Sequence, residues 1–292
     1  MMNFCNFKKC TALGLGIFLV ALNLCAKETP VTLTTEDKWK LAALYEPASS
    51  DIPTVVLLHD LNKNKNEFTS FKAALAKNGF GYVALDLRGH GQSTGGGGVR
   101  SFAKEGVDNQ FNKMTRDVDA AIYFLKEKGI SPEKIVLLGA GLGANVAAKA
   151  TTFWPNVSGI ALISPSANVR DVLAIPPLRL YKGNVLIAAA AADKKMFLEA
   201  SVIRNVTYLT TGEDAAQVTF LTAYDLKSHE MLDKYLTPSV LQWLRTPKRP
   251  EILPDAPSLK TQPGINTQVD MSGLDVAPSA TEEALVPSVL EE

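Results

Sequence analysis

Residues 134–149, KIVLLGAGLGANVAAK, carry the most chemically suggestive spacing in the chain. A short apolar run, Ile135 to Leu138, leads into glycines at alternate positions, Gly139, Gly141 and Gly143, and then into small helix formers. That order predicts a strand, a sharp turn and a helix. In the pattern GxSxG such a turn presents a nucleophile: the central residue is strained against neighbouring backbone, so its flanking positions must be small. Here the turn reads Gly139-Ala140-Gly141-Leu142-Gly143. The flanking glycines are present, and the central position, where a hydroxyl or thiol would stand, is Gly141. Ala140 and Leu142 supply no substitute.

The same letters satisfy GxGxxG/A through Gly139, Gly141 and Ala144, a spacing that lets a dinucleotide pyrophosphate approach a helix N-terminus. That chemistry also needs an acidic residue about 20 positions on to hold the ribose. The next apolar run ends in Ser164-Pro165, and no acidic residue falls between Glu133 and Asp171. Dinucleotide binding is therefore the least supported reading.

The elements that would position this turn can be read in order. Val31–Thr35 and Trp39–Tyr45 alternate apolar and polar around Glu36-Asp37-Lys38, predicting two antiparallel strands at one sheet edge. Pro53–Leu58, Tyr82–Leu87, Gly159–Ile163, Val185–Ala192 and Val218–Ala223 are runs of the kind buried in a parallel sheet. Helical spacing covers Glu67–Lys77, Phe111–Lys128 and His229–Arg245, the last with a bend expected at Pro238. Strands alternating with helices predict a mostly parallel, doubly wound α/β sheet with helices on both faces. Only 19 residues separate Ser164 from Asn184, which allows a minimal cap or none and leaves the site open.

The chain has 292 residues, 46% of them hydrophobic, with 30 basic and 30 acidic side chains. This balance gives no general pull toward nucleic acid or an anionic membrane. Residues 1–26 have the order of a secretory signal: Lys8-Lys9, the apolar stretch Ala12–Leu24, then Cys25-Ala26. Cleavage after Ala26 predicts an exported protein, periplasmic or secreted. Membrane attachment would require lipidation at Cys25, for which bulky Leu24 stands where a small residue is wanted. Cys5, Cys10 and Cys25 all lie in this leader, so the mature domain, 27–246, has no disulfide. Residues 247–292 hold seven of the sixteen prolines, eight acidic and three basic side chains, and no apolar period, the composition of a disordered acidic tail.

Taken together, LLHD at 57–60, DLRGHGQS at 86–93, LLGAGLGAN at 137–145, ISPSANVRD at 163–171 and LKSHE at 226–230 resemble the α/β-hydrolase superfamily. Within it the chain looks like the lidless dienelactone hydrolases and S33-type esterases, from about Thr32 to Leu244. The resemblance implies an acid at Asp193, a general base at His229 and oxyanion amides at Leu61 and Leu142, with Gly141 as the degenerate nucleophile position. Asp60 replaces the glycine that the family has after His59. His59 and His90 fall in turn motifs and read as structural, and Asp193 could equally cap the helix that follows it. Ser164 and Ser166 resemble a position where the family has a non-catalytic serine. No cofactor and no metal are implied.

Two function classes follow. In the first, an exported α/β-hydrolase-fold protein lacks normal serine-hydrolase turnover and keeps its pocket for a small ester-like ligand or a protein partner. In the second, it is an active hydrolase using Asp193 and His229 with another nucleophile or an activated water. If the rest of the machinery is in register, Gly141→Ser alone is expected to restore the attacking atom.

Overall fold

The computed structural model describes residues 28–49, 52–211, 218–226 and 228–245. Residues 1–26, read above as a secretory leader and holding all three cysteines, and the segment 247–292 lie outside the described residues. In chain order the strands are β1 (Thr29–Thr34), β2 (Lys40–Glu46), β3 (Thr54–Leu58), β4 (Gly81–Leu85), β5 (Ile135–Ala140) and β6 (Gly159–Ile163). A two-residue pair follows, β7 (Asn168–Val169) and β8 (Val172–Leu173), then β9 (Asn184–Ala190) and β10 (Val218–Ala223). The helices are α1 (Thr69–Lys77), α2 (Thr115–Glu127), α3 (Leu142–Ala150), α4 (Ile175–Leu178), α5 (Lys194–Thr211), α6 (Ser228–Met231) and α7 (Thr237–Arg245).

Eight strands make one sheet in the order β1-β2-β4-β3-β5-β6-β9-β10. β2 is antiparallel to both β1 and β4, and all other neighbours are parallel. The expected mostly parallel α/β sheet with an antiparallel edge is thus what forms. Its inner strands β3, β4, β5 and β6 are buried at every residue, because helices cover both faces. Alternation along β3 shows the two layers. Val56 and Leu58 enter a core shared with Val118 of α2, Val146 of α3 and Ile203 of α5. Val55 and Leu57 enter the opposite core, with Phe71 and Leu75 of α1 and Trp243 of α7.

Two segments differ in detail from the sequence expectation. The last helix is not continuous with a bend at Pro238: α6 passes into a π-helical turn, Leu232–Leu236, before α7 begins. A proline removes one amide donor and crowds the carbonyl four residues back, so the preceding turn widens. Thr237 Oγ1 donates to the Leu232 carbonyl at 2.9 Å and so satisfies a group that the widened turn leaves. Between Ser164 and Asn184 the chain makes the β7–β8 hairpin and α4. Arg170 and Asp171 at the hairpin tip are both left-handed (φ +55° and +63°), the backbone that a tight hairpin turn requires. The insertion is as small as its length implied.

Candidate functional site

The turn between β5 and α3 is a strained elbow. Gly141 adopts φ +49° and ψ −114°, a conformation that side-chain-bearing residues rarely take. Its amide still donates to the Ile163 carbonyl at 2.9 Å, so the end of the β5–β6 ladder fixes the turn. The flanking glycines are there for space. A Cβ on Gly139 would lie 2.1 Å from the Gly143 carbonyl oxygen, and one on Gly143 would lie 2.0 Å from that of Leu58. The helix therefore packs its first turn directly on the end of β3.

From the end of β3 comes Asp60, and its carboxylate fills the space in front of the elbow. A Cβ on Gly141 would fall 1.9 Å from Asp60 Oδ1 and 2.5 Å from Oδ2. The same Oδ1 accepts the Leu61 amide at 2.7 Å and the Leu142 amide at 2.9 Å. These are the two amides expected to form an oxyanion hole. They converge on one point, and the oxygen they hold belongs to the chain itself.

Neighbouring side chains fix Asp60 in this pose. Its own amide donates to Glu67 Oε2 at 2.6 Å. His59 is fully buried, and the Leu87 amide donates to its Nε2 at 3.0 Å. Nε2 is therefore unprotonated, and Nδ1 carries the hydrogen that it donates to the Asp60 carbonyl at 2.7 Å. Burial pulls the His59 pKa down to about 4, so this tautomer is the neutral one. His90 packs edge-on against it at 4.9 Å, and its Nδ1 donates to the Arg88 carbonyl at 3.0 Å. Both histidines hold turns, as their motifs suggested. The DLRGHGQS turn is likewise a brace: Asp86 accepts from Lys65 N, Lys65 Nζ and Gln92 N, tying the loop after β3 to the turn after β4.

A pocket of about 270 Å³ opens over the elbow at the carboxyl ends of β3, β5, β6 and β9. Asp60, Gly141, Leu142, Ser164, Ser166 and Asp193 line it, together with Val169, Ala190 and Met196. A larger groove of about 760 Å³ lies between β1 and α2 and contains none of the expected site residues. Ligands in open α/β sheets bind at the carboxyl ends of strands, so the smaller pocket is the one with chemical meaning.

The sequence of the serine aminopeptidase S33 family matches residues 50–211, more than half of the chain. The chain belongs to that family. No curated protein matches it. Among solved structures, an esterase from Pyrococcus furiosus superposes with a TM-score of 0.61 at 19% identity, covering 75% of this chain and 92% of that one. An esterase from Exiguobacterium antarcticum gives 0.58 at 17% identity, over 75% and 100%. A protein of unknown function from Agrobacterium tumefaciens, described as a putative α/β hydrolase, gives 0.61 at 16% identity, over 76% and 100%. At such identities the likeness speaks to the fold.

Asp193 lines the pocket at the head of α5, where its Oδ1 accepts the Met196 amide at 3.3 Å in the manner of a helix cap. His229, in α6 after β10, is partly exposed, and its Nδ1 stands 3.0 Å from Glu67 Oε1. That is an ion-pair distance without a well-directed hydrogen bond, since neither atom has a partner at hydrogen-bond angles. Burial raises the Glu67 carboxyl above the usual range, against the pull of the Asp60 amide. Burial also raises Asp233, the second carboxyl facing His229. The structure thus joins Asp60, Gly141, Leu142 and Asp193 at one pocket, ties Leu61 to it through its amide on Asp60, and links His229 to Asp60 through Glu67. Sequence reasoning missed Glu67 entirely. Ser166 Oγ is held by the Glu199 carboxylate, which also accepts the Ala167 amide, so that serine serves its loop. Among the described residues no group of His, Cys, Asp and Glu is placed to hold a metal ion.

Proposed function

We propose that this protein is an exported S33-fold member without serine-hydrolase turnover, whose pocket over the elbow binds a small ligand or a segment of a partner. One observation carries the reading: the Asp60 carboxylate occupies both oxyanion amides and the volume of the nucleophile's side chain. Acyl transfer by a serine needs an attacking hydroxyl and free donors for the developing oxyanion. Here a glycine replaces the first, and the chain's own carboxylate takes up the second. An ester carbonyl entering the pocket meets donors already engaged, so an ester-like ligand must bind through its other groups. The order of residues 1–26 supports export, and 247–292 reads as a solvated tail or a contact segment.

A fluorophosphonate probe and a short p-nitrophenyl ester test the reading on the purified mature protein. The expected result is no covalent labelling and no hydrolysis above a His229→Ala control. Stoichiometric labelling of any serine, or ester turnover lost on changing His229 or Asp193, would favour an active hydrolase with a nucleophile elsewhere.

A further inference from the structure

We infer that the pocket over the elbow recognises a protonated amine on a short apolar body, and that the Asp60 carboxylate is the group that reads it. This rests on the pocket being a binding site, as proposed above, and names what it binds. The two backbone donors that would receive a carbonyl or carboxylate oxygen are both spent on Asp60 Oδ1. The other oxygen, Oδ2, accepts no hydrogen bond among the described residues, and Asp60 lines the pocket. An acceptor oxygen at the pocket floor wants a donor, and a charged one makes the stronger bond.

The rest of the wall fits the same chemistry. Asp193 is a second carboxylate on it, and no Lys, Arg or His lines it among the described residues, so a cation gains and an anion loses. Leu142, Val169, Ala190 and Met196 supply an apolar surface for a short hydrocarbon. Asp60 is held from behind, by the Glu67 carboxylate on its amide and the His59 ring on its carbonyl, so its carboxylate is aimed before a ligand arrives.

The test titrates the mature protein with n-butylammonium chloride, sodium butyrate and n-butyl acetate, three probes of similar reach that differ in charge and hydrogen-bonding sense. Calorimetry and backbone amide shifts are the readouts. The expected result is saturable binding of n-butylammonium at millimolar concentration, with shifts at Leu61 and Leu142, and weaker binding of the other two. Asp60→Asn keeps an oxygen for the two amides but turns a donor toward the pocket. It should weaken n-butylammonium by about tenfold or more and improve butyrate. Tighter binding of butyrate or n-butyl acetate to the unaltered protein would overturn the amine assignment and leave the pocket standing. Equal n-butylammonium affinity in a folded Asp60→Asn would overturn Asp60 as the reader. Should that variant fail to fold, the amide shifts of the unaltered protein decide: n-butylammonium shifts that miss Leu61 and Leu142 sink the proposal. Binding of none of the three probes would remove the binding reading itself.

Discussion

Asp60 and Gly141 occupy one another's space: the Asp60 Oδ1 atom sits 1.9 Å from where a Cβ on Gly141 would be. A glycine after His59 and a serine at 141 would fit together, as aspartate and glycine do here, whereas an aspartate at 60 with a serine at 141 collides unless the carboxylate swings away. The two positions are therefore coupled, across two loops 81 positions apart in the chain: the Asp60 carboxylate in this pose leaves room only for glycine at 141.

This relationship bears on the expectation that Gly141→Ser alone restores activity. The serine Cβ would have to expel the Asp60 carboxylate from both amides, on a backbone that already costs a side-chain-bearing residue about 1 to 3 kcal/mol. Gly141→Ser should melt lower and hydrolyse no p-nitrophenyl acetate. Asp60→Gly with Gly141→Ser removes the collision and frees the Leu61 and Leu142 amides. The double variant should gain esterase activity that falls about 100-fold or more on His229→Ala. A folded, inactive double variant would mean that His229, drawn toward Glu67, no longer reaches the elbow.

The flanking glycines make a sharper case of the same kind. Gly143→Ala places a methyl 2.0 Å from the Leu58 carbonyl oxygen, a backbone atom that cannot swing aside. Its cost should lie at or above the upper end of the usual range of about 1 to 3 kcal/mol for overpacking. Gly98→Ala meets nothing within 4 Å and has φ −81°, so it should be neutral or stabilise by up to about 1 kcal/mol. Urea melts of the two variants check the contrast, and a Gly143→Ala protein as stable as the unaltered one would mean that α3 can lift off β3.

Much of the fold was legible because its cause is local. The runs TVVLL, IVLLGA and GIALI are apolar without alternation, which only a sheet covered on both faces explains, and all three became inner strands. The elbow was legible for the same reason, since close backbone packing leaves room only for glycine. What Asp60 does was not legible. His59-Asp60 differs from the family pattern by one residue, but its meaning lies in a bond to Leu142, 82 positions away. Glu67 is further hidden: nothing near it in sequence announces a contact with His229, 162 positions on. Pro238 did signal a break in the last helix, yet the widened turn appears at Leu232–Leu236, where the carbonyls it crowds are located.

Glu67 should matter to the loop more than its place on a polar stretch suggests. Its buried Oε2 is the acceptor for the Asp60 amide, so Glu67→Ala leaves that donor unsatisfied at a cost of about 1 to 3 kcal/mol. Glu67→Gln retains an acceptor oxygen and should recover most of the loss. Thermal melts of both variants, with the Asp60 and Leu61 amide shifts as local reporters, test this. Equal stability of Glu67→Ala and the unaltered protein would show that the Asp60 loop is held without it.

Acid should loosen the site through His59. Its folded pKa, about 4, lies below the ordinary histidine value near 6.5. Between those values the unfolded chain binds a proton that the folded protein refuses, so stability rises with pH there. The neutral ring's contribution is complete above about pH 6.5 and is lost as the pH falls toward 4, by about 3 kcal/mol in all. Burial lowers His90 as well, which adds in the same sense. Glu67 acts oppositely: with its folded pKa raised, it favours the folded state as pH falls and loses that contribution as pH rises. Asp37, held low by Arg88 despite its burial, withdraws its support only below the ordinary carboxylate range, outside this window. Charging His59 requires a hydrogen on Nε2, which breaks the bond from the Leu87 amide and unsettles the ring that supports the Asp60 carbonyl. Asp117, which burial pushes up to about 7, and Asp233 act in the same sense as Glu67, so the His59 share is read as a difference: in urea denaturation at steps from pH 7 to pH 4.5, the midpoint of the unaltered protein should fall relative to that of His59→Gln. A His59 ring that titrates by NMR near pH 6.5 in the folded protein would contradict the argument at its root.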